Sequence, residues 1–148
     1  MRKIINLIGL LAIMSIAFQL QAAAPEDKPF AEHLVVLQIS DADPSKQALV
    51  LNVANNLMKA YGGPDKVDVE IVAFGPGLRL LFADNANGGM IHGLVDNGVR
   101  FSECGNTIEK MTRLLGKKPE INDKATVVPG GVARIIELVG QGYILVKP

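Results

Sequence analysis

Cys104 is the residue of this 148-residue chain best suited to covalent chemistry, and it is the only cysteine. A thiolate is a strong nucleophile toward sulfur, and a lone cysteine has no internal partner with which to close a disulfide. It stands in Phe101-Ser102-Glu103-Cys104-Gly105-Asn106-Thr107, where a short apolar strand ends and a helical period begins. A strand-to-helix turn offers unpaired backbone N–H groups and the positive end of a helix dipole, and both favour the ionised sulfur. The amides of Gly105 and Asn106 are the expected donors. Glu103 brings a negative charge next door, but strand alternation turns its side chain away from that of Cys104. A second reading stays open: free cysteine also packs as a small, inert hydrophobe.

Other residues offer weaker chemistry. Gly75-Pro76-Gly77 ends another apolar strand, and its missing side chains allow close approach to a ligand or to the thiol. It is followed by no Gly-Lys-Ser/Thr run and does not complete G-x-G-x-x-G, so a nucleotide is not expected. Asn56, mid-helix beside Leu57, is either solvated or a hydrogen-bonding residue near the site. His33 precedes the first strand, at the end of the sheet away from Cys104, and His92 sits on the polar side of its helix. Neither forms a cluster with metal-ligand spacing, so no metal or other cofactor is expected. With zero formal charge, 5% aromatics and no tryptophan, the chain has no footprint for nucleic acid.

The elements that must position these residues follow from periodicity. Leu34–Ser40 reads as a strand covered on both faces. Asp43 caps a helix that starts at Pro44, buries Val50, Val53, Ala54, Leu57, Met58 and Tyr61, and stops at Gly62-Gly63. Asp68–Phe74 is a second strand. Its first half alternates apolar with acidic residues, which predicts one face open to water. A short helical segment over Leu78–Ala83 and a helix around Met90–Val95 precede a third strand, Val99–Glu103. Asn106 and Glu109 have the spacing of a capping box for the next helix. Ala125–Val128 is a fourth strand. Pro129-Gly130-Gly131 opens a helix expected to bury Val132, Ile135, Ile136 and Val139, and Tyr143–Val146 is a fifth strand. Alternating strands and helices predict a three-layer α/β/α fold with a five-stranded, mainly parallel sheet.

The first 24 residues stand apart. Arg2 and Lys3 precede a largely apolar stretch from Ile4 to Phe18, and small residues follow at Ala22–Ala24. That order is the pattern of a cleavable signal peptide. Gln19 and Gln21 close the apolar stretch short of a membrane span. Residues 25–148 are then one exported domain, periplasmic or secreted, with no membrane association after cleavage. The whole chain is formally neutral, and losing Arg2 and Lys3 leaves this domain two charges on the acidic side.

Taken together, several segments resemble the DsrE/DsrF-like family in its small, exported, stand-alone form. They are Val35–Asp41, Asn55-Asn56-Leu57, Val72–Leu78, Gly98–Thr107, and Val128–Val132 through Gly142-Tyr143 to Lys147-Pro148, and they cover nearly all of residues 25–148. The resemblance implies a five-stranded parallel sheet and assembly into homotrimers or hexamers. It also implies that Cys104 carries a sulfane sulfur as a persulfide between donor and acceptor thiol proteins. Gly75, Pro76, Gly77, Gly105, Asn106 and Asn56 are the expected ligand-binding residues around Cys104. The alternative is a non-catalytic oligomeric module that binds a small ligand and in which Cys104 is structural.

Overall fold

The computed structural model describes residues 28–148, so the expected signal peptide over residues 1–24 lies outside the described residues. Strands β1 (His33–Ile39), β2 (Val67–Ala73), β3 (Arg100–Cys104), β4 (Ala125–Val128) and β5 (Ile144–Val146) form one sheet in the order β4-β3-β2-β1-β5. Every pairing is parallel. Helices α1 (Pro44–Ala60), α2 (Gly88–Asp96), α3 (Gly105–Leu115) and α4 (Gly131–Gly140) connect the strands, and a 3₁₀ helix over Gly75–Leu81 follows β2. Among the described residues no helix is long and apolar enough to cross a membrane.

Strand alternation sorts the core into two layers. Val35, Leu37, Val69, Ile71 and Phe101 face α1, α2 and α3, joined by Val50, Leu51, Ile91 and Ile108. Leu34, Val36 and Val72 face the other way, where α4 supplies Ile135 and Leu138. Helix α1 starts as its sequence dictates: the carboxylate of Asp43 accepts the N–H of Ser45 at 2.7 Å, and Pro44 occupies the first turn. It buries Gln47 and Leu51 with Val50, Ala54 and Met58, whereas Tyr61 is an exposed cap.

Two expectations are corrected. The acidic face of β2 does not meet water, because all seven residues of the strand are buried. Asp68 and Glu70 do alternate with apolar neighbours, but their face lies under α4, where cations neutralise them. Helix α4 is turned from the expected orientation. Gly131, Ile135 and Leu138 are buried, whereas Val132 is 54%, Ile136 67% and Val139 47% exposed. Glycine at 131 lets the first turn sit directly on the Phe74 ring: a Cβ there would lie 2.9 Å from Phe74 Cβ. That seat fixes which stripe of the helix faces the sheet.

Candidate functional site

Cys104 is the last residue of β3 and the N-cap of α3. The expected capping box of Asn106 and Glu109 is therefore not the helix start. Cys104 is held in sheet register against Val128, and the chain passes from strand to helix with no intervening loop. Asn106 lies inside the first turn, its N–H donating to Pro129 O at 3.2 Å.

The thiol is almost enclosed, with Cys104 5% exposed. Burial by itself pushes a thiol up. Here the Thr107 hydroxyl and the backbone amides of Gly131, Thr107 and Asn106 outweigh burial and hold Cys104 below the ordinary thiol value. Two of these amides belong to α3, and the third belongs to the first residue of α4. Two helix N-termini thus converge on one sulfur. Topology explains the convergence. The chain must cross from β4 at one edge of the sheet to β5 beside β1, so α4 begins next to the end of β3.

Thr107 is itself positioned. Its Oγ1 accepts the N–H of Gly75 at 3.0 Å, which ties the turn after β2 to the thiol. Gly75 has φ +53°, a left-handed conformation that favours glycine. Gly75, Pro76 and Thr107 line a cavity of about 280 Å³ between the 3₁₀ helix and α3, with Arg79 and Lys110 at its wall. Gly77 serves another purpose than the expected close access to sulfur. A Cβ at Gly77 would meet Ile39 O at 2.4 Å, so glycine is needed for backbone packing on β1. Gly105 similarly packs on the Val128 carbonyl, 3.2 Å from a Cβ position, and the site takes its amides from Asn106 and Thr107 instead. Asn56 is exposed on α1, in the layer across the sheet from Cys104. It is not brought to the site.

Below the thiol, on the same face, lies a buried ionic network. Glu70 accepts Arg134 Nε and Nη2, each at 2.8 Å, and the Ser102 hydroxyl at 2.7 Å. Asp68 meets Arg100 at 2.6 Å and Lys28 at 3.0 Å, and accepts a short hydrogen bond from the Tyr143 hydroxyl. Burial pushes the Tyr143 phenol far above its ordinary value, so it stays a donor. Arg134 comes from α4, so its forked bond to Glu70 helps fix that helix over the sheet. Glu103 points to the opposite face from Cys104, as alternation requires. Its carboxyl is raised by burial, and Oε2 has no hydrogen-bond partner among the described residues.

His33 stacks on the Tyr61 ring with centroids 3.9 Å apart. His92 is half exposed, 4.0 Å from Asp123. Among the described residues no group of His, Cys, Asp and Glu is arranged to hold a metal ion. Thr107 and Gly131 went unread in the sequence. Thr107 had a signal in its place three residues after the cysteine. Gly131 had one in the Pro129-Gly130-Gly131 helix start beyond the strand that flanks β3.

No protein-family model matches the chain, and no curated protein matches it. Among solved structures, the fold is shared with a protein of unknown function from Methanobacterium thermoautotrophicum. The two superpose with a TM-score of 0.70 at 29% identity, over 79% of this chain and 100% of the other.

Proposed function

We propose that this chain is an exported, DsrE-like thiol protein that accepts a sulfane sulfur on Cys104 and passes it to a partner thiol. The observation that supports the reading best is the meeting of two helix N-termini and the Thr107 hydroxyl at one sulfur. The Cys104 thiolate attacks the outer sulfur of a donor persulfide. An Sγ–S bond forms, the donor S–S bond breaks, and the donor thiolate leaves with the electron pair. A partner thiolate then attacks the sulfur held on Cys104, which departs as thiolate. Donors that stabilise the thiolate help it as the nucleophile of the first step and as the leaving group of the second. No outside oxidant is consumed.

A non-catalytic oligomeric binding module is the second reading, and the near-complete burial of Cys104 favours it. The exposed stripe Val132, Ile136 and Val139 supports self-association under both readings. One experiment separates them. Protein recovered after export is incubated with a persulfide donor, and its intact mass is measured before and after reductant. Sulfur transfer predicts gain of one sulfur, loss of it to added thiol, and no gain in Cys104→Ser. An unmodified wild type, under conditions that load a known carrier, establishes the binding module.

A further inference from the structure

We infer that the exposed stripe of α4 docks into the groove between the 3₁₀ helix and α3 of a second copy of this chain, an inference that rests on self-association and names its two surfaces.

The surfaces match as a helix and its seat. Val132, Ile136 and Val139 stand at i, i+4 and i+7 on α4 and are 54%, 67% and 47% exposed. The groove, about 280 Å³, is walled on α3 by Thr107, Lys110, Met111 and Leu114, at i, i+3, i+4 and i+7. Each stripe therefore runs about 10 Å along its helix, at a rise of about 1.5 Å per residue. Pro76 and Met111 give the groove apolar surface, and Leu114 is 74% exposed. An amphipathic helix lays its apolar ridge into such a groove through anchors of this spacing.

Charge favours the groove over a second α4. Arg79 and Lys110 are exposed, no carboxylate lines the groove with them, and neither makes an ion pair among the described residues. Beside the stripe, Glu137 is 61% exposed, and the Arg134 guanidinium that it meets at 3.5 Å is already held by both oxygens of Glu70. An α4-to-α4 contact would bring two Glu137 carboxylates to one apolar seam. The groove offers Glu137 two cations instead.

Topology makes the contact head to tail. The 3₁₀ helix and α3 pack on one face of the sheet, and α4 packs on the other. Two copies cannot satisfy both surfaces at once when these lie on opposite faces, so a closed ring needs three or more. The contact also sets the α4 that donates to one Cys104 beside the Thr107 that donates to the next.

Sedimentation of residues 25–148 tests the pairing with two variants at exposed positions. Ile136→Glu blocks the stripe, and Leu114→Glu blocks the groove. Each alone should run as a monomer at micromolar concentration, with a melting temperature within a few degrees of wild type. An equimolar mixture should form one-to-one dimers, because one variant keeps the groove and the other keeps the stripe. Glu137→Lys in an otherwise unaltered chain should weaken assembly about tenfold, and adding Lys110→Glu should recover part of that loss. Leu114→Glu protein that assembles like wild type, or a mixture that stays monomeric, overturns the docking. Wild-type dimers broken by Ile136→Glu alone show an α4-to-α4 contact in its place. A monomeric wild type removes self-association itself, and this pairing with it.

Discussion

The hydroxyl of Thr107 accepts the Gly75 amide at 3.0 Å and directs its own proton to the sulfur of Cys104. The amide occupies one lone pair and thereby sets the direction of the O–H, so the turn after β2 orients a donor toward the end of β3. Thr107→Val keeps the volume and removes the donor. A hydrogen bond to a charged group contributes about 1.5–3 kcal/mol, and about 1.4 kcal/mol is tenfold in an equilibrium. Alkylation of Cys104 at pH 7 should therefore slow roughly tenfold, with the inflection of the pH–rate curve moved upward. Thr107→Ser should restore both. Equal rates in the valine variant would show that the backbone amides suffice.

Glu70 is the hub of the network under α4, and removing it leaves Arg134 and Arg100 short of a buried counter-charge. Breaking a buried ion pair from one side costs about 3–5 kcal/mol. Glu70→Ala should lose that much in urea denaturation. Replacing Glu70 and Arg134 together with leucine and methionine should lose less, because Arg134 is then not stranded and Arg100 keeps Asp68 as its counter-charge. A double variant as unstable as Glu70→Ala would show that shape rather than charge sets the cost.

Glu103 supplies a pH dependence of opposite origin. Burial raises its carboxyl in the folded state, with Lys118 pulling the other way. A raised acid binds its proton more tightly when folded, so its contribution is complete below the unfolded glutamate value. It is lost as pH rises through the folded one. Glu103→Gln should therefore melt near the wild-type temperature at pH 4 and above it at pH 7. Parallel melting curves across that range would show that the carboxyl finds solvent in the fold.

The outward stripe of α4 makes a further claim on solution behaviour. Val132, Ile136 and Val139 repeat at i, i+4 and i+7, and all three are exposed. An apolar stripe of this kind marks an interaction surface. Sedimentation of residues 25–148 should show trimers or larger, and Ile136→Glu should shift them toward monomer without changing the melting temperature by more than a few degrees. A wild-type monomer at micromolar concentration would remove self-association.

Much of the fold was legible because local signals agreed with one another. The boundaries of β4 and the Asp43-Pro44 start of α1 stand where turn chemistry and apolar period place them. The misread features depended on partners distant in the chain. Asp68 and Glu70 look solvated until Arg100, Arg134 and Lys28 are brought over them. Val132 and Ile136 share a period with Ile135 and Val139, and nothing local shows that Gly131 packs on Phe74 and so selects the buried stripe. At the site, Cys104 was readable from its strand-to-helix turn. Its donors from Thr107 and α4 depend on a side-chain direction and on a crossover that the period of one segment does not carry.

Gly131 tests that crossover directly. Its amide is a donor to Cys104 and the first of α4, and the helix can approach only because no side chain separates it from Phe74. A methyl group at 131 would lie 2.9 Å from Phe74 Cβ and 3.1 Å from Cδ1, and because ring rotation leaves Cβ in place, the start of α4 must move outward. Overpacking of this kind costs about 1–3 kcal/mol. Gly131→Ala should therefore lower stability by that amount and also raise the Cys104 thiol, because a donor recedes as the helix shifts. Phe74→Gly in the same chain removes the Cβ, Cγ and Cδ1 atoms that the methyl meets. It should return the pH–rate inflection of alkylation toward wild type, even where stability is not regained. If Gly131→Ala destabilises the fold but leaves the thiol's titration where it was, the α4 N-terminus contributes nothing to the ionised sulfur, and α3 with Thr107 holds it alone.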